Sequence, residues 1–84
     1  MHFFYIIYSN KTDRYYYGSS HNPELRLVLH NNGATPSTKY GIPWKLVYIE
    51  KFVQKTDALK REKEIKRRAN RKFVEQLISF QKKG

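Results

Sequence analysis

Three segments of the chain are rich in aromatic and branched aliphatic residues, and their spacing predicts the strands of a small β-sheet. Residues 3–8 are apolar on both alternating faces, which is typical of a central strand covered on both sides. A polar stretch separates them from a second β-rich run, so residues 3–17 are predicted to form a hairpin with Tyr5 and Tyr16 on neighbouring strands. The third strand is predicted at residues 44–52.

Asn22 and Pro23 predict the start of a first helix, because asparagine is a favoured N-cap and proline is tolerated at the first helical position. The helix is expected to run to about residue 31 and to end at Gly33, since glycine readily adopts the left-handed conformation that follows many helices. Residues 34–43 contain two prolines, a glycine and several hydroxyl side chains, which indicates a loop that can approach a ligand.

Arg26 and His30 lie four residues apart in this helix, so their side chains project from the same side. Leu25 and Leu29 are expected to form the buried stripe beside them. Each polar residue also has an ordinary explanation. Arg26 fits a solvated surface cation, and His30 fits a cation near the helix C-terminus, where it is favoured by the helix dipole.

A second helix is predicted over residues 58–69, with Thr56 or Asp57 as its cap. Asn70 is then expected to cap a last helix. The apolar residues of that last helix recur at helical spacing and predict a face that docks on the sheet, formed by Phe73, Val74, Leu77 and Ile78.

Glu62 is the anomalous residue of the second helix. At about 100° per residue from Ala58, it falls at about 40°, inside the apolar arc that Ile65 also occupies. A carboxylate on a core-facing stripe must be paired, hydrogen-bonded, protonated or bound to a metal. The alternative to a functional role is a structural ion pair with Arg26 or Lys66.

The chain of 84 residues is expected to form one small domain over residues 1–84. Its 17 Lys and Arg against 7 Asp and Glu leave a net charge of +10, which favours nucleic acid or an anionic membrane surface as a partner. A membrane-surface helix fits less well, because the apolar face of the second helix is short and no Trp or Phe follows it before Phe73. The other explanation is that the charge only serves solubility.

The sequence contains no cysteine, which excludes disulfides, thiolate zinc sites and thiol nucleophiles. No window approaches the ~20 apolar residues of a membrane span, and the apolar N-terminus lacks the basic leader of a signal peptide. The protein is therefore expected in the cytoplasm, with no membrane partner.

Several short motifs follow one another at characteristic spacings. Phe3-Phe4-Tyr5 is followed by Tyr16-Tyr17-Gly18, then by Arg26 eight residues after the glycine and by His30 four residues further on. With the segments at 41–48 and 58–66, the chain resembles the GIY-YIG nuclease domain in its small stand-alone form. The resemblance implies an α+β fold, with a three-stranded antiparallel sheet flanked by helices in the order β-β-α-β-α-α. It also implies metal-dependent hydrolysis of phosphodiester bonds.

The resemblance assigns a role to each matching residue. Glu62 is similar to the metal-binding glutamate of the family and would hold Mg²⁺ or Mn²⁺. Arg26 would hold the scissile phosphate. Tyr5 would act near the attacking water as base or orienter, tuned by His30 or Tyr16. A tyrosine with an ordinary pKa near 10 is a poor base at pH 7, so this role requires a cation or the metal nearby.

Three departures from the family pattern stand out: Phe3 replaces the glycine of GIY, Tyr17 replaces the apolar middle residue of YIG, and a further downstream asparagine has no clear match. The expected substrate is DNA rather than RNA. Low sequence selectivity is expected because no DNA-binding domain is appended. The expected biological role is in DNA repair or recombination. The residues expected to bind nucleic acid are Lys39, Lys60, Lys63, Arg67, Arg68, Arg71 and Lys72.

Two other functions stay open on the sequence. One is a nucleic-acid-binding module of the same fold without catalysis, which uses the basic face of the second helix on phosphates. The other is a structural or partner-binding domain whose charge only serves solubility. The sequence leaves any protein partner unknown.

Overall fold

An antiparallel sheet of three strands forms the centre of the protein in the computed structural model, which describes the backbone of residues 1–83 and the side chains of residues 1–82. Gly84, the last residue of the predicted 1–84 domain, lies outside the described residues. The elements in chain order are β1 (His2–Ser9), β2 (Arg14–Ser20), α1 (Pro23–Asn31), a 3-10 helix (Pro36–Gly41), β3 (Trp44–Phe52), α2 (Lys55–Arg68) and α3 (Arg71–Lys83).

The strand order is β2-β1-β3, so β1 is the central strand that its two apolar faces predicted. Tyr5 of β1 lies opposite Gly18 of β2 on one side and Ile49 of β3 on the other. The pairing of β1 with β3 shifts register between Ile6 and Ile7. The predicted α+β fold, with its order β-β-α-β-α-α, is confirmed.

The two faces of the sheet carry separate apolar clusters, because successive side chains of β1 point to opposite faces. On one face Phe4 and Ile6 pack with Ile65 of α2 and Val74 of α3. On the other face the cluster joins α1 to the sheet and contains Tyr5, Ile7, Trp44 and, partly buried, Leu27. The sheet is thus covered by α2 and α3 on one face and by α1 on the other.

Helix α1 begins as predicted, since the Asn22 side chain accepts a hydrogen bond from the Leu25 backbone nitrogen at 3.2 Å. The predicted buried stripe is wrong at Leu25, which is 49% exposed, whereas Leu29 is partly buried. Pro23 and His30 are buried instead, and Leu27 lies partly buried between them. His30 lies in the last turn of α1, but it is fully enclosed and burial lowers its pKa, so a cation favoured by the helix dipole is the wrong explanation for it.

The segment predicted as a loop at 34–43 contains the 3-10 helix over Pro36–Gly41. Gly33 precedes it with a φ of 78°, in the left-handed conformation that was predicted to end α1. Thr38 of the 3-10 helix is buried against α1. The segment is therefore an ordered part of the α1 face.

The predicted start of α2 is wrong. The helix begins at Lys55, and its N-cap is Gln54, which makes no side-chain capping hydrogen bond. Asp57 lies inside the first turn, where its negative charge is favoured by the positive end of the helix dipole. The predicted cap of α3 is confirmed, since the Phe73 backbone nitrogen donates to Asn70 Oδ1 at 2.9 Å.

Arg61 ties α2 to the edge strand β3. Its Nε lies 2.8 Å from Glu50 Oε1 and its Nη2 lies 3.0 Å from Glu50 Oε2, a bidentate arrangement. Its Nη1 donates to Glu64 at 2.8 Å.

Among the described residues, no helix combines the length and apolar character required to cross a bilayer.

Ile65 provides a test of the α2 interface, because it is fully buried between the sheet and α3. We expect Ile65→Ala to lower the free energy of unfolding by about 2–5 kcal/mol through lost burial and a residual cavity. Urea unfolding followed by circular dichroism measures this change. Leu59→Ala on the same helix is the matched control, since Leu59 is 40% exposed. Equal losses for the two variants would contradict the assigned packing.

His30 makes stability depend on pH. Burial, and secondarily the positive charge of Arg26, lower the pKa of His30 below its ordinary 6.5. The unfolded chain therefore binds more protons than the folded protein just below pH 6.5. We expect the free energy of unfolding to fall as the pH is lowered through this range, measured by urea unfolding. His30→Gln should reduce the dependence, whereas His21→Gln at an exposed position should retain it.

Candidate active site

Tyr5 lies across the backbone of Gly18, and this close approach requires a glycine. A Cβ atom built on Gly18 would lie 2.5 Å from Tyr5 Oη and 2.6 Å from Tyr5 Cζ, far inside van der Waals contact. Only hydrogen fits at this position on β2. The glycine of the Tyr16-Tyr17-Gly18 motif thus lets the Tyr5 ring extend toward the β2 edge of the sheet.

A buried chain of polar groups begins at the Tyr5 hydroxyl. Tyr5 Oη lies 3.2 Å from His30 Nε2, and His30 Nδ1 lies 2.9 Å from Thr38 Oγ1. The Thr38 hydroxyl donates in turn to the backbone carbonyl of Thr35 at 3.2 Å. Because Tyr5, His30 and Thr38 are almost fully buried, these contacts replace the hydration that the polar atoms lose.

Tyr16 encloses the imidazole from the side. Its ring packs edge-on against His30 at a centroid distance of 5.1 Å and against Trp44 at 6.4 Å. Edge-to-face packing of this kind adds to the energy of burial and restricts how the rings turn. Tyr16 therefore holds His30 in place through ring contacts.

Two charged residues from opposite faces of the sheet act on Tyr5. Burial raises the pKa of Tyr5 and is the largest cause, while the positive charge of Arg26 on α1 opposes the rise. Tyr16 and the negative charge of Glu62 on α2 raise the pKa of Tyr5 further. His30 thus contacts the Tyr5 hydroxyl and Tyr16 packs on His30, whereas Arg26 and Glu62 are linked to that hydroxyl through their effects on its pKa.

Glu62 has one identified partner within the described side chains. Its Oε2 lies 2.8 Å from Lys66 Nζ, which is one of the ion pairs that the sequence left open. The Glu62 side chain is 19% exposed and so mostly buried. A metal site here would use a single protein carboxylate, since the described residues contain no group of three or more His, Cys, Asp or Glu suited to a metal. This donor set fits Mg²⁺, which keeps several waters and is often held by one or two carboxylates plus phosphate oxygens.

The basic residues predicted to bind nucleic acid fall into separate groups. Lys60, Lys63 and Arg67 surround one shallow depression on α2, with Glu64 beside them. Lys39, on the 3-10 helix, and Lys72, on α3, are exposed at other places on the surface. The three residues on α2 form the most concentrated positive surface of the predicted set, and we call them the α2 basic cluster.

Arg68 and Arg71 are engaged within the protein. Arg68 lies over the Phe73 ring at 5.0 Å and forms an ion pair with Glu64 at 3.8 Å. Arg71 contacts Asp13 in the turn between β1 and β2 at 2.5 Å and Glu75 at 3.2 Å. These two arginines connect elements of the fold in addition to their predicted role.

Thr38 is the site residue that the sequence did not reveal. It lies in a segment without helical or strand periodicity, and only its contact with His30 distinguishes it from the neighbouring hydroxyl residues. Asn31 was likewise unassigned, although its side chain makes two hydrogen bonds to the Trp44 backbone, at 2.6 and 2.9 Å. No local signal identifies either residue, because both act through partners distant in the chain.

Comparison with known proteins agrees with the motifs. A family model described as the GIY-YIG catalytic domain matches residues 1–75. A UPF0213 protein of Staphylococcus saprophyticus is 44% identical over 66 residues, covering 77% of this chain and 79% of the relative. A UPF0213 protein of Bacillus licheniformis is 33% identical over 79 residues, covering 89% of this chain and 80% of the relative.

A solved structure shares the fold. The solution NMR structure of a UPF0213 protein from Bacillus halodurans superimposes with a TM-score of 0.59 and 29% sequence identity, covering 94% of this chain and 83% of the other. The family match spans most of the chain and includes the strands, helices and residues that surround Tyr5. The chain therefore belongs to the GIY-YIG family.

Proposed function

We propose that this protein is a metal-dependent endonuclease that hydrolyses phosphodiester bonds in DNA. It belongs to a family of nucleases, and the observation that carries the proposal is the surroundings of the Tyr5 hydroxyl. His30 lies 3.2 Å from that hydroxyl as a proton acceptor, and the charges of Arg26 and Glu62 shift the hydroxyl's pKa in opposite directions. A base, a cation for phosphate and a carboxylate for a metal are the parts that this reaction requires.

Tyr5 is proposed to remove a proton from the attacking water. Burial raises the pKa of Tyr5 above its ordinary value, so the free hydroxyl is a weak base at neutral pH. His30 lies 3.2 Å from that hydroxyl, and its lowered pKa keeps the imidazole neutral at neutral pH, with a lone pair that can accept the Tyr5 proton. The same lowered pKa makes this transfer costly, so the nearby positive charge and the metal must favour it. As the proton moves to His30, the Tyr5 oxygen becomes basic enough to take one from water.

Arg26 is proposed to bind the scissile phosphate. It is exposed on α1, so its guanidinium is accessible to a substrate while its charge still reaches Tyr5. A guanidinium can contact two phosphate oxygens at once and stabilise the charge that builds up on them. It also favours the ionised form of Tyr5, which lowers the cost of the proton transfer.

Glu62 is proposed to hold the divalent ion, Mg²⁺ or Mn²⁺, together with water and a phosphate oxygen. When bound, the ion supplies Lewis-acid stabilisation of the phosphoryl oxygens and of the leaving group. Lys66 holds the carboxylate from one side at 2.8 Å and so orients it. Glu62 on α2 and Arg26 on α1 both influence the Tyr5 hydroxyl, which supports the proposal that one phosphate binds near the two residues.

DNA rather than RNA is the proposed substrate, with low sequence selectivity and a role in repair or recombination. The α2 basic cluster has the character of a phosphate-binding surface, and phosphate contacts carry no sequence information. The net charge of +10 strengthens the attraction to any nucleic acid at low salt.

A second function is favoured by one observation. The ion pair between Lys66 and Glu62 already neutralises the only carboxylate proposed for the metal. A nucleic-acid-binding module without catalysis would use the same fold and the same basic cluster, with Glu62 as a structural residue. The two proposals predict different effects of substituting Glu62: DNA cleavage is lost if Glu62 holds a metal, and DNA binding is retained if Glu62 is only structural.

Glu62→Gln tests the catalytic proposal, because the amide keeps the shape of the side chain but loses its charge for a metal. We expect cleavage of plasmid and branched DNA with Mg²⁺ or Mn²⁺ to fall by about 100-fold or more, since a metal supplies several kcal/mol of charge stabilisation. Glu64→Gln is the matched control on the same helix, and it should retain cleavage. No cleavage by the unaltered protein, or cleavage insensitive to Glu62→Gln, would support the binding module instead.

The α2 basic cluster is tested by binding to a short DNA duplex at several salt concentrations. We expect the double variant Lys60→Ala and Lys63→Ala to bind more weakly and to lower the slope of log K against log salt by about 2, because each lysine releases about one counterion. Lys45→Ala, an exposed lysine on the edge strand β3, should leave the slope near that of the unaltered protein. An equal effect of both changes would indicate a diffuse charge effect.

A further inference from the structure

Each ring nitrogen of His30 faces a hydroxyl group in the protein interior. The two hydroxyls differ in whether their proton is available for a hydrogen bond to His30. Nε2 faces the Tyr5 hydroxyl at 3.2 Å, and Nδ1 faces the Thr38 hydroxyl at 2.9 Å. A neutral imidazole carries its proton on one nitrogen and accepts on the other. Which nitrogen carries it decides whether His30 can accept a proton from Tyr5.

The Thr35 carbonyl settles the direction of the chain. Thr38 Oγ1 lies 3.2 Å from the Thr35 carbonyl oxygen, and a carbonyl oxygen can only accept. The single hydroxyl proton of Thr38 therefore points to Thr35, and Thr38 has only lone pairs to offer His30. In the opposite arrangement, the Thr38 and Thr35 oxygens would face each other at 3.2 Å with no proton between them, and the Thr35 carbonyl would keep only its bond from the Thr38 backbone nitrogen at 3.1 Å.

We propose that Thr38 is a positioning residue that fixes His30 in the tautomer protonated at Nδ1, so that the lone pair of Nε2 faces the Tyr5 hydroxyl. The proposal rests on the proposed role of Tyr5 as the base. Thr38 touches neither water nor phosphate and acts only through His30. Its contribution is to keep the proton acceptor ready before the substrate arrives.

The Tyr5 O–H bond breaks as an Nε2–H bond forms on His30, and the Tyr5 oxygen takes a proton from the attacking water. The hydroxide bonds to phosphorus, the P–O bond to the leaving oxygen breaks, and that oxygen takes a proton from solvent. His30 then carries one positive charge, and its bond from Nδ1 to Thr38 becomes stronger because the donor is charged. Return of the Nε2 proton through Tyr5 to solvent restores the resting state.

Thr38 is held rigidly enough for this task. Trp44 Nε1 donates to the Thr38 carbonyl at 2.8 Å, so the indole fixes the backbone of the 3-10 helix. The Trp44 backbone is held in turn by two hydrogen bonds from Asn31, the residue after His30 on α1. Gly41 leaves room for the indole, since a Cβ at this position would overlap the Trp44 ring. The helix that supplies His30 thus also anchors the residue that orients it.

The test compares Thr38→Val, which keeps the shape but removes the hydroxyl, with Thr38→Ser, which keeps the hydroxyl. Nitrogen NMR of histidine-labelled protein at neutral pH reads the tautomer of His30 directly. We expect the form protonated at Nδ1 in the unaltered protein and in Thr38→Ser, and a shift toward Nε2 protonation in Thr38→Val. Cleavage of plasmid DNA with Mg²⁺ should fall at least about tenfold in Thr38→Val, as for other partners of a catalytic histidine, and recover in Thr38→Ser.

The outcomes separate this inference from the proposed function. An Nε2-protonated His30 in the unaltered protein overturns the role of Thr38 without any variant, including the case in which Thr38→Val does not fold. A shifted tautomer with undiminished cleavage also overturns it. If the unaltered protein cleaves no DNA, the proposed function fails, and the same NMR measurement still decides whether Thr38 sets the tautomer.

Discussion

The hydrogen bond between the Tyr5 hydroxyl and His30 is the contact on which the rest of the site depends, because it places two polar groups in the protein interior. The His30 ring is fully enclosed and the Tyr5 side chain is only 1% exposed, so most of their polar partners must come from the fold. Thr38 completes the set for His30, and Gly18 provides the space over which the Tyr5 ring lies. The 3-10 helix, through Thr38, and β2, through Gly18, therefore both contact the same series of buried polar groups.

Within the hydrogen-bonded series Tyr5–His30–Thr38, both charged residues of the site, Arg26 and Glu62, act on Tyr5. Burial alone would leave Tyr5 less often in its basic, ionised form than a free tyrosine, and Arg26 opposes that effect while Glu62 adds to it. The two charged residues come from helices on opposite faces of the sheet, and both act on Tyr5, whose ring lies over Gly18 of β2. A substrate phosphate and a divalent ion would change this balance, since each supplies charge at the same place.

Local chemistry was sufficient to predict many parts of the fold. The caps formed by Asn22 and Asn70, the left-handed Gly33 and the strand at 44–52 were all confirmed, since each depends on residues within a few positions of one another. The start of α2 was predicted incorrectly, because the expected capping residues lie inside a helix that begins at Lys55. Capping preferences of about 1 kcal/mol are small enough for packing to override them.

The sequence by itself determined the strands, the helices and the family motifs that contain Tyr5, Arg26 and Glu62, because these rest on residue type and spacing. Only the tertiary structure decided which side of α1 is buried. Leucines at helical spacing favoured one stripe, but His30 lies inside because Tyr5 and Thr38, 25 and 8 residues away in the chain, satisfy its two nitrogens. Satisfying a buried polar group depends on partners brought together by the fold, and no local pattern encodes that meeting.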